Sequence, residues 1–371
     1  MLVVCLLTWI VTTECVAEPV SEADTLSTDV EKPDVFHRIG SWFTRYFRDF
    51  NETDTNYIEP QHYNYSVMLQ NTNTYERYTI TSKEGQSIDF APKPTYRIGP
   101  YFGWRWIFAG YTFDISHLSN RNNKREVELT LYSNLVCVDF FYRKTGSDYL
   151  IKKANLNDGK GWKQFDDVPF DGLNVGITGI SASYIFNHKR FSYPAAFNQS
   201  TVQRRSVGSP LAGFGYTRHS IDLDFNRLRQ VVEKNVTNDD PYGQMAQLDS
   251  GLMFNSVRYT NISLSGGYAY NWVFAHNWLL AASLSLALGY KKSEGDLQKD
   301  EKTILRDFSF RNVAFDGTGR LGLVWNDTKW FAGMSAIFHS YNYHKSQFKA
   351  NTYFGSINIY GGFNFDRKRH H

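Results

Sequence analysis

The chain has 371 residues, a net charge of +3 and a mean hydropathy of −0.44. So mild a charge does not point to nucleic-acid binding, and beyond the N-terminus no run of about 20 apolar residues offers a transmembrane helix. The aromatic fraction of 16%, with 24 Tyr, 28 Phe, 9 Trp and 27 Gly, instead fits strands that meet lipid and cross its interfaces.

Residues 1–17 read as a secretory signal, with an apolar stretch from Leu2 to Val11 and a small-residue cleavage site at Cys15-Val16-Ala17. Processing there leaves Cys137 as the one remaining thiol, so neither an intramolecular disulfide nor a thiolate metal cluster is expected. Residues 18–61 form a second region. Glu18 to Asp34 is an acidic, aperiodic spacer. Val35, Ile39, Trp42, Phe43, Tyr46 and Phe47 then fall at helical spacing among His37, Arg38, Arg45 and Arg48, which predicts a short amphipathic helix on the periplasmic side.

From about Tyr63 the period changes to two. In Trp278–Tyr290 one face carries Trp278, Leu280, Ala282, Leu284, Leu286, Leu288 and Tyr290, and the other Leu279, Ala281, Ser283, Ser285, Ala287 and Gly289. Similar faces are Val313, Phe315, Leu321, Leu323 and Trp325; Tyr353, Ile357, Ile359, Phe363 and Phe365; and Phe254, Ile262, Leu264, Tyr268, Tyr270 and Trp272. Bulky apolar residues with aromatic ends on one face, and Ser, Asn, Gly and Thr on the other, describe strands between lipid and a hydrated interior. A soluble sandwich would carry charge on its outer face.

Connections alternate in length. Tight turns fall at Asn187-His188-Lys189, Phe274 to Asn277 and Asn326-Asp327-Thr328, and long polar loops at Lys144 to Phe170, Asn226 to Ser250 and Lys291 to Lys302. The expectation is an all-β protein: a transmembrane antiparallel β-barrel of about 12 strands over residues 62–366, with a basic tail at 367–371, both termini periplasmic and an outer-membrane address. The expected partners are outer-membrane lipid and lipopolysaccharide and the barrel assembly machinery, for a monomer without nucleic acid and without a cofactor.

Asp54-Thr55-Asn56-Tyr57-Ile58-Glu59, Gly110-Tyr111-Thr112-Phe113-Asp114 and Phe191-Ser192-Tyr193-Pro194-Ala195-Ala196-Phe197-Asn198-Gln199, followed by Gln203 and Ser206-Val207-Gly208-Ser209, together carry a resemblance. The chain resembles a Bacteroidetes family of uncharacterised outer-membrane β-barrel proteins, catalogued as a domain of unknown function. The resemblance spans roughly Asp54 to Phe365 and implies a barrel and an outer-membrane address. It implies no activity and no catalytic residues.

His117-Leu118-Ser119-Asn120 is the sharpest chemical motif. A His-x-Ser pair on a strand sets both side chains on one face, about 7 Å apart, where the His can serve as base for a Ser nucleophile. It is similar to the motif of outer-membrane lipid A deacylases and phospholipases, which act on the outer leaflet. Two expectations oppose it: Glu126 and Glu128 face the interior, and the strand count sets Ser119 to Lys124 on the periplasmic side. Arg204 and Arg205 are candidates to line the interior, as are Asp316 and Arg320. Asp139, Asp222 and Asp224 with Asp316 and Arg320 are candidates for an internal ion-pair network that fills a narrow barrel.

Overall fold

The computed structural model describes residues 53–104, 107–110, 112–114, 125–146, 148–156, 163–235, 248–295, 312–344 and 348–368. The signal segment, the spacer, the predicted amphipathic helix, His117, Ser119 and the tip of the basic tail lie outside the described residues.

In chain order the strands are β1 (Ile58–Pro60), β2 (Tyr63–Ser82), β3 (Ser87–Pro92), β4 (Thr95–Trp104), β5 (Ile107–Gly110) and β6 (Phe113–Asp114). Next come β7 (Arg125–Tyr132), β8 (Val136–Lys144), β9 (Tyr149–Asn155), β10 (Lys163–Phe170) and β11 (Leu173–Ile185). A short helix α1 (Tyr193–Phe197) precedes β12 (Thr201–Gln203) and β13 (Val207–Leu223), and helix α2 (Phe225–Asn235) follows. The chain continues with β14 (Ser256–Ala275), β15 (Trp278–Gly295), β16 (Val313–Asn326), β17 (Trp330–His344) and β18 (Phe348–Arg367).

All but β1 and β12 join one antiparallel sheet, in the order β10-β9-β3-β2-β18-β17-β16-β15-β14-β13-β11-β8-β7, and β1 and β12 pair separately. The lower half of β2 also pairs with β4, which carries β5 and β6. The first and last long strands are thus neighbours, from Phe348 opposite Ser82 to Arg367 opposite Tyr63. No pairing between β6 and β7 is described. The sheet nevertheless curls back on itself. Arg143 of β8 reaches Glu76 of β2, Phe141 of β8 meets Phe354 of β18 at 5.5 Å, and Asp139 of β8 pairs with Arg320 of β16. None of these strand pairs is adjacent in the sheet, so each contact crosses an interior.

Two faces follow from the period of two. Outward stand Leu264 and Phe315, each 69% exposed, with Leu284 and Leu286 close behind. Inward stand buried or half-buried Asn261, Ser263, Ser283, Ser285, Asp316 and Arg320. That is a polar inside and an apolar outside, the inverse of a soluble sheet. Phe254 is a correction to the sequence reading. It precedes β14 and is buried, stacking on Phe348 at 4.6 Å, rather than joining the outward face.

The tight β7–β8, β14–β15 and β16–β17 turns lie at one end of the sheet, with the longer β11–β13 connection among them; the long β8–β11, β13–β14 and β15–β16 connections lie at the other, with the short β17–β18 connection. At the long-connection end the described parts of two predicted loops contain regular elements. Lys144 to Phe170 contains β9 and β10, and β3 pairs with β9 away from the main wall. Pro92 and Pro94 mark where the chain leaves β3 and returns to the wall in β4, since neither can donate to a ladder. The segment from Asn226 is helical. In α2, Phe225, Leu228 and Val232 turn into an apolar core with Ile88, Phe90, Leu173, Val175, Phe254 and Phe348. The region 18–61 is not all spacer and helix either, because Ile58–Pro60 is a strand.

Candidate functional site

The interior is the candidate site, and it is filled at three levels. At the short-turn end the filler is the connection between β11 and β13. Its motif Phe191–Gln199 folds as a capped single turn. Ser192 accepts a hydrogen bond from the Ala195 amide at 3.2 Å, and Pro194 occupies the first turn, where a missing N–H costs nothing. Ala195 and Ala196 are small enough to seat the turn on Leu279, Ala281 and Val324 of the inward face. Tyr132 stacks on Phe197 at 5.2 Å, and Phe191 meets Tyr193 edge-on at 5.1 Å.

Amide side chains fix this plug. Gln199 donates to the Tyr360 hydroxyl at 3.0 Å and accepts from Asn326 at 3.0 Å. It does so with φ of 60°, a left-handed backbone that a non-glycine residue adopts at a cost of about 1 kcal/mol. Gln203 accepts from the Ser192 amide at 3.0 Å and from Asn271 at 3.1 Å, and donates to the Arg190 carbonyl at 2.7 Å. Asn271 donates to the Ser192 carbonyl at 2.8 Å. Buried amides satisfied in this way hold one conformation, because any other leaves donors unpaired.

The middle level is ionic. Asp139 pairs with Arg320 and also accepts from Thr130 at 3.0 Å and Ser181 at 3.2 Å. Lys291 binds Asp316 at 2.7 Å, and Asn261 donates to the other Asp316 oxygen at 2.9 Å. Beside these pairs lies a cavity of about 50 Å³ lined by Ser181, Ser183, Ser263, Ser265 and Thr318. That is room for a water or two. Above it, Arg143 is 2% exposed between Glu76 and Glu128, each at 3.2 Å, with its guanidinium 4.7 Å from the centre of the Phe354 ring. His219 stacks on Tyr259 at 4.5 Å, and Tyr259 on Tyr343 at 4.2 Å. The apolar core under α2 then closes the long-connection end.

Of the residues singled out in the sequence, Asp316 and Arg320 are buried on the inward face, together with Asp139. Arg204 and Arg205 are not there. They follow β12 at the short-turn end, where Arg204 pairs with Glu59 and donates to Asn277 at 2.9 Å, and Arg205 lies 5.7 Å from the Tyr57 ring. Burial works to raise the Glu59 carboxyl's pKa, but its bonds to His62 and Arg204 outweigh that and hold it below the ordinary value. Asp222 and Asp224 are also excluded from the network. Asp222 sits on the outward face of β13 and Asp224 beyond that strand's end.

His117 and Ser119, with the segment Ser119 to Lys124, lie outside the described residues. The strand ends that flank them are at the long-connection end, where Arg125 is the register partner of Lys144 and Asp114 of Arg97. Glu128 faces inward, where it meets Arg143.

Sequence reasoning missed Lys291, Arg143, Glu76 and the plug. Parity held the signal for the first three. Lys291 continues the row Ser283, Ser285, Ala287 and Gly289, and Arg143 continues Cys137, Asp139 and Phe141.

No curated protein matches the sequence. Solved structures similar to the fold are outer-membrane proteins. The outer membrane protease OmpT from Escherichia coli is 7% identical, with 81% of this chain and 97% of that chain covered and a TM-score of 0.37. The translocator domain of the autotransporter NalP from Neisseria meningitidis is 9% identical, with 88% and 95% covered and a TM-score of 0.30. The toluene transporter TodX from P. putida is 8% identical, with 82% and 91% covered and a TM-score of 0.21. Likenesses this loose carry no argument about activity. Residues 52–365 match the family described as a domain of unknown function, DUF4421, and the chain belongs to that family.

Proposed function

We propose that the protein is an outer-membrane barrel of twelve strands, closed by β5 and β6 against β7, that conducts no solute and works as a binding or structural barrel. The twelve are β2, β4, the β5–β6 pair, β7, β8, β11, β13, β14, β15, β16, β17 and β18. Contacts across the interior support closure. The apolar outward band supports the membrane: Trp278 to Tyr290 spans about 40 Å along the strand and about 30 Å at a tilt of about 40°. The short-turn end, with both described termini, is assigned to the periplasm on the usual asymmetry of such barrels.

The observation that carries the non-conducting reading is the filled interior, with the plug, the ion pairs and the capping core in series. The test is conductance of the purified protein in planar bilayers. No stable steps are expected; reproducible ohmic steps from the parent protein would contradict the reading.

One observation favours a second reading. The segment containing His117 and Ser119 joins strand ends on the long-connection side, which is the outer leaflet in this orientation. A lipid-acting hydrolase would then have its His-x-Ser pair on the right side of the membrane. Ser119→Ala separates the two readings. Unchanged lipid A and phospholipid profiles are expected for a non-enzymatic barrel, and altered acylation would establish the hydrolase.

A further inference from the structure

The outward face of β2 departs from a pattern that its neighbours keep. Between their aromatic ends, the outward rows of β15, β16, β17 and β18 hold only Gly, Ala, Leu, Ile, Met and Phe. On β2 the row from Tyr65 to Tyr75 runs Val67, Leu69, Asn71 and Asn73. Register confirms the side. Asn71 lies between Ile98 of β4 and Ile359 of β18, and Asn73 between Tyr96 and Ile357. Leu69, Ile98 and Ile359 are exposed in the same patch. At about 3.3 Å per residue, Asn71 stands about 20 Å along the strand from Tyr65 and about 13 Å from Tyr75. In the membrane reading that is the hydrocarbon layer, inside both aromatic girdles.

An amide in hydrocarbon costs free energy unless its groups are paired. The two side chains achieve this in part. Asn73 donates to the Asn71 Oδ1 at 2.9 Å, and Asn71 donates to the Arg97 carbonyl at 3.2 Å. One N–H of each amide and the Asn73 Oδ1 have no partner among the described residues. Polar side chains within a membrane span characteristically face other protein, where such groups are satisfied. A carboxamide carries both donors and an acceptor, so it is complementary to itself. A two-fold axis along the membrane normal keeps two copies in the same orientation and brings the same residue of each together. Leu69 is flanked by Pro100 and Gly361, which project little and let two walls approach.

We propose that the β4–β2–β18 face is a dimer interface, in which Asn71 and Asn73 of two copies hydrogen-bond across a two-fold axis within the membrane. The proposal rests on the outer-membrane reading above and adds a partner to it: a second copy of this chain, where the sequence alone suggested a monomer. A second copy fits both features of the patch. Its amides supply the missing donors and acceptors, and its Leu69, Ile98 and Ile359 cover the apolar rim. Lipid chains cover the rim but leave the amides unpaired.

The test uses the full mature protein with one dye per chain, reconstituted at low density in liposomes, and counts subunits by single-molecule photobleaching. The parent should bleach mainly in two steps. Asn71→Leu with Asn73→Leu should weaken dimerisation by about fiftyfold, the worth of four side-chain hydrogen bonds in a membrane. Leu286→Ala, an exposed outward position on β15, should leave it unchanged. One-step bleaching of the parent would overturn the proposal. So would a double variant that dimerises like the parent, or an equal loss with Leu286→Ala. Crosslinking gives a second reading that keeps both amides. On a Cys137→Ser background, oxidation in the membrane should join Leu69→Cys into a dimer and leave Leu286→Cys largely single. Equal yields would mean random collision and contradict the interface. Heat-modifiable migration on gels reports folding of each variant, and should the double variant not fold, the crosslinking comparison decides. Membrane residence is read separately by fractionation. Loss of that residence would sink the outer-membrane reading, whereas a monomer that stays in the membrane would sink only the interface.

Discussion

Removing Asp139 tests whether the interior ion pair holds the curled sheet together. Arg320 and Asp139 are 4% and 8% exposed, so bulk water screens the pair poorly. Asp139→Ala leaves the Arg320 guanidinium buried without its carboxylate and deprives the Thr130 and Ser181 hydroxyls of their acceptor. Breaking one side of a buried pair costs about 3–5 kcal/mol. The double change Asp139→Ala with Arg320→Met removes both charges and fills part of the space, so it should recover more than half of that loss. Urea unfolding in detergent or liposomes, followed by the gel shift between folded and unfolded barrel, gives the free energies. A loss below about 1 kcal/mol for Asp139→Ala, or a double variant worse than the sum of the singles, would refute the reasoning.

Other consequences can be checked the same way. Gln199→Ala removes the bonds to Tyr360 and Asn326, and it should cost about 2 kcal/mol and raise bilayer conductance by loosening the plug. Leu264→Arg places a charge on the outward face, where it should cost about 2–4 kcal/mol in a lipid bilayer; an unchanged unfolding midpoint would argue against lipid contact. Glu59 is held below its ordinary value of 4.5, so its stabilisation is fully present above that pH and is lost as pH falls through the lowered value. Glu59→Gln should therefore lower neutral-pH stability by about 1 kcal/mol or less and flatten the acid limb of the stability profile; a parallel downward shift at all pH values would contradict the linkage. Cys137, 1% exposed, should resist thiol reagents until the barrel unfolds, and labelling of the folded protein would contradict its burial.

Much of the wall was legible because period-two alternation is a local signal. The rows from Trp278 and from Val313 separated outward from inward residues without any knowledge of pairing. Asp316 and Arg320 emerged from the same parity. What parity does not reveal is which strand leaves the wall. Within Tyr75 to Arg105, β3 belongs to the extension and β4 to the wall. The plug was present as the densest motif in the chain, but a five-residue helix with no periodic face does not announce what it packs against. Arg204 was misplaced because its partner Glu59 lies 145 residues away, and Arg205 because it lies by the equally distant Tyr57 ring.

The most direct test of a membrane barrel with a filled interior is a spin-label scan along β15 in proteoliposomes, at residues 280–288 of a Cys137→Ser background. Oxygen, which partitions into lipid, should reach labels at 280, 282, 284, 286 and 288 freely. Labels at the alternate positions should be immobile and shielded from both oxygen and a water-soluble nickel chelate. Strong access of the chelate to labels at 284 and 286 would remove the membrane. Strong access at 283 and 285 would mean an open, water-filled interior.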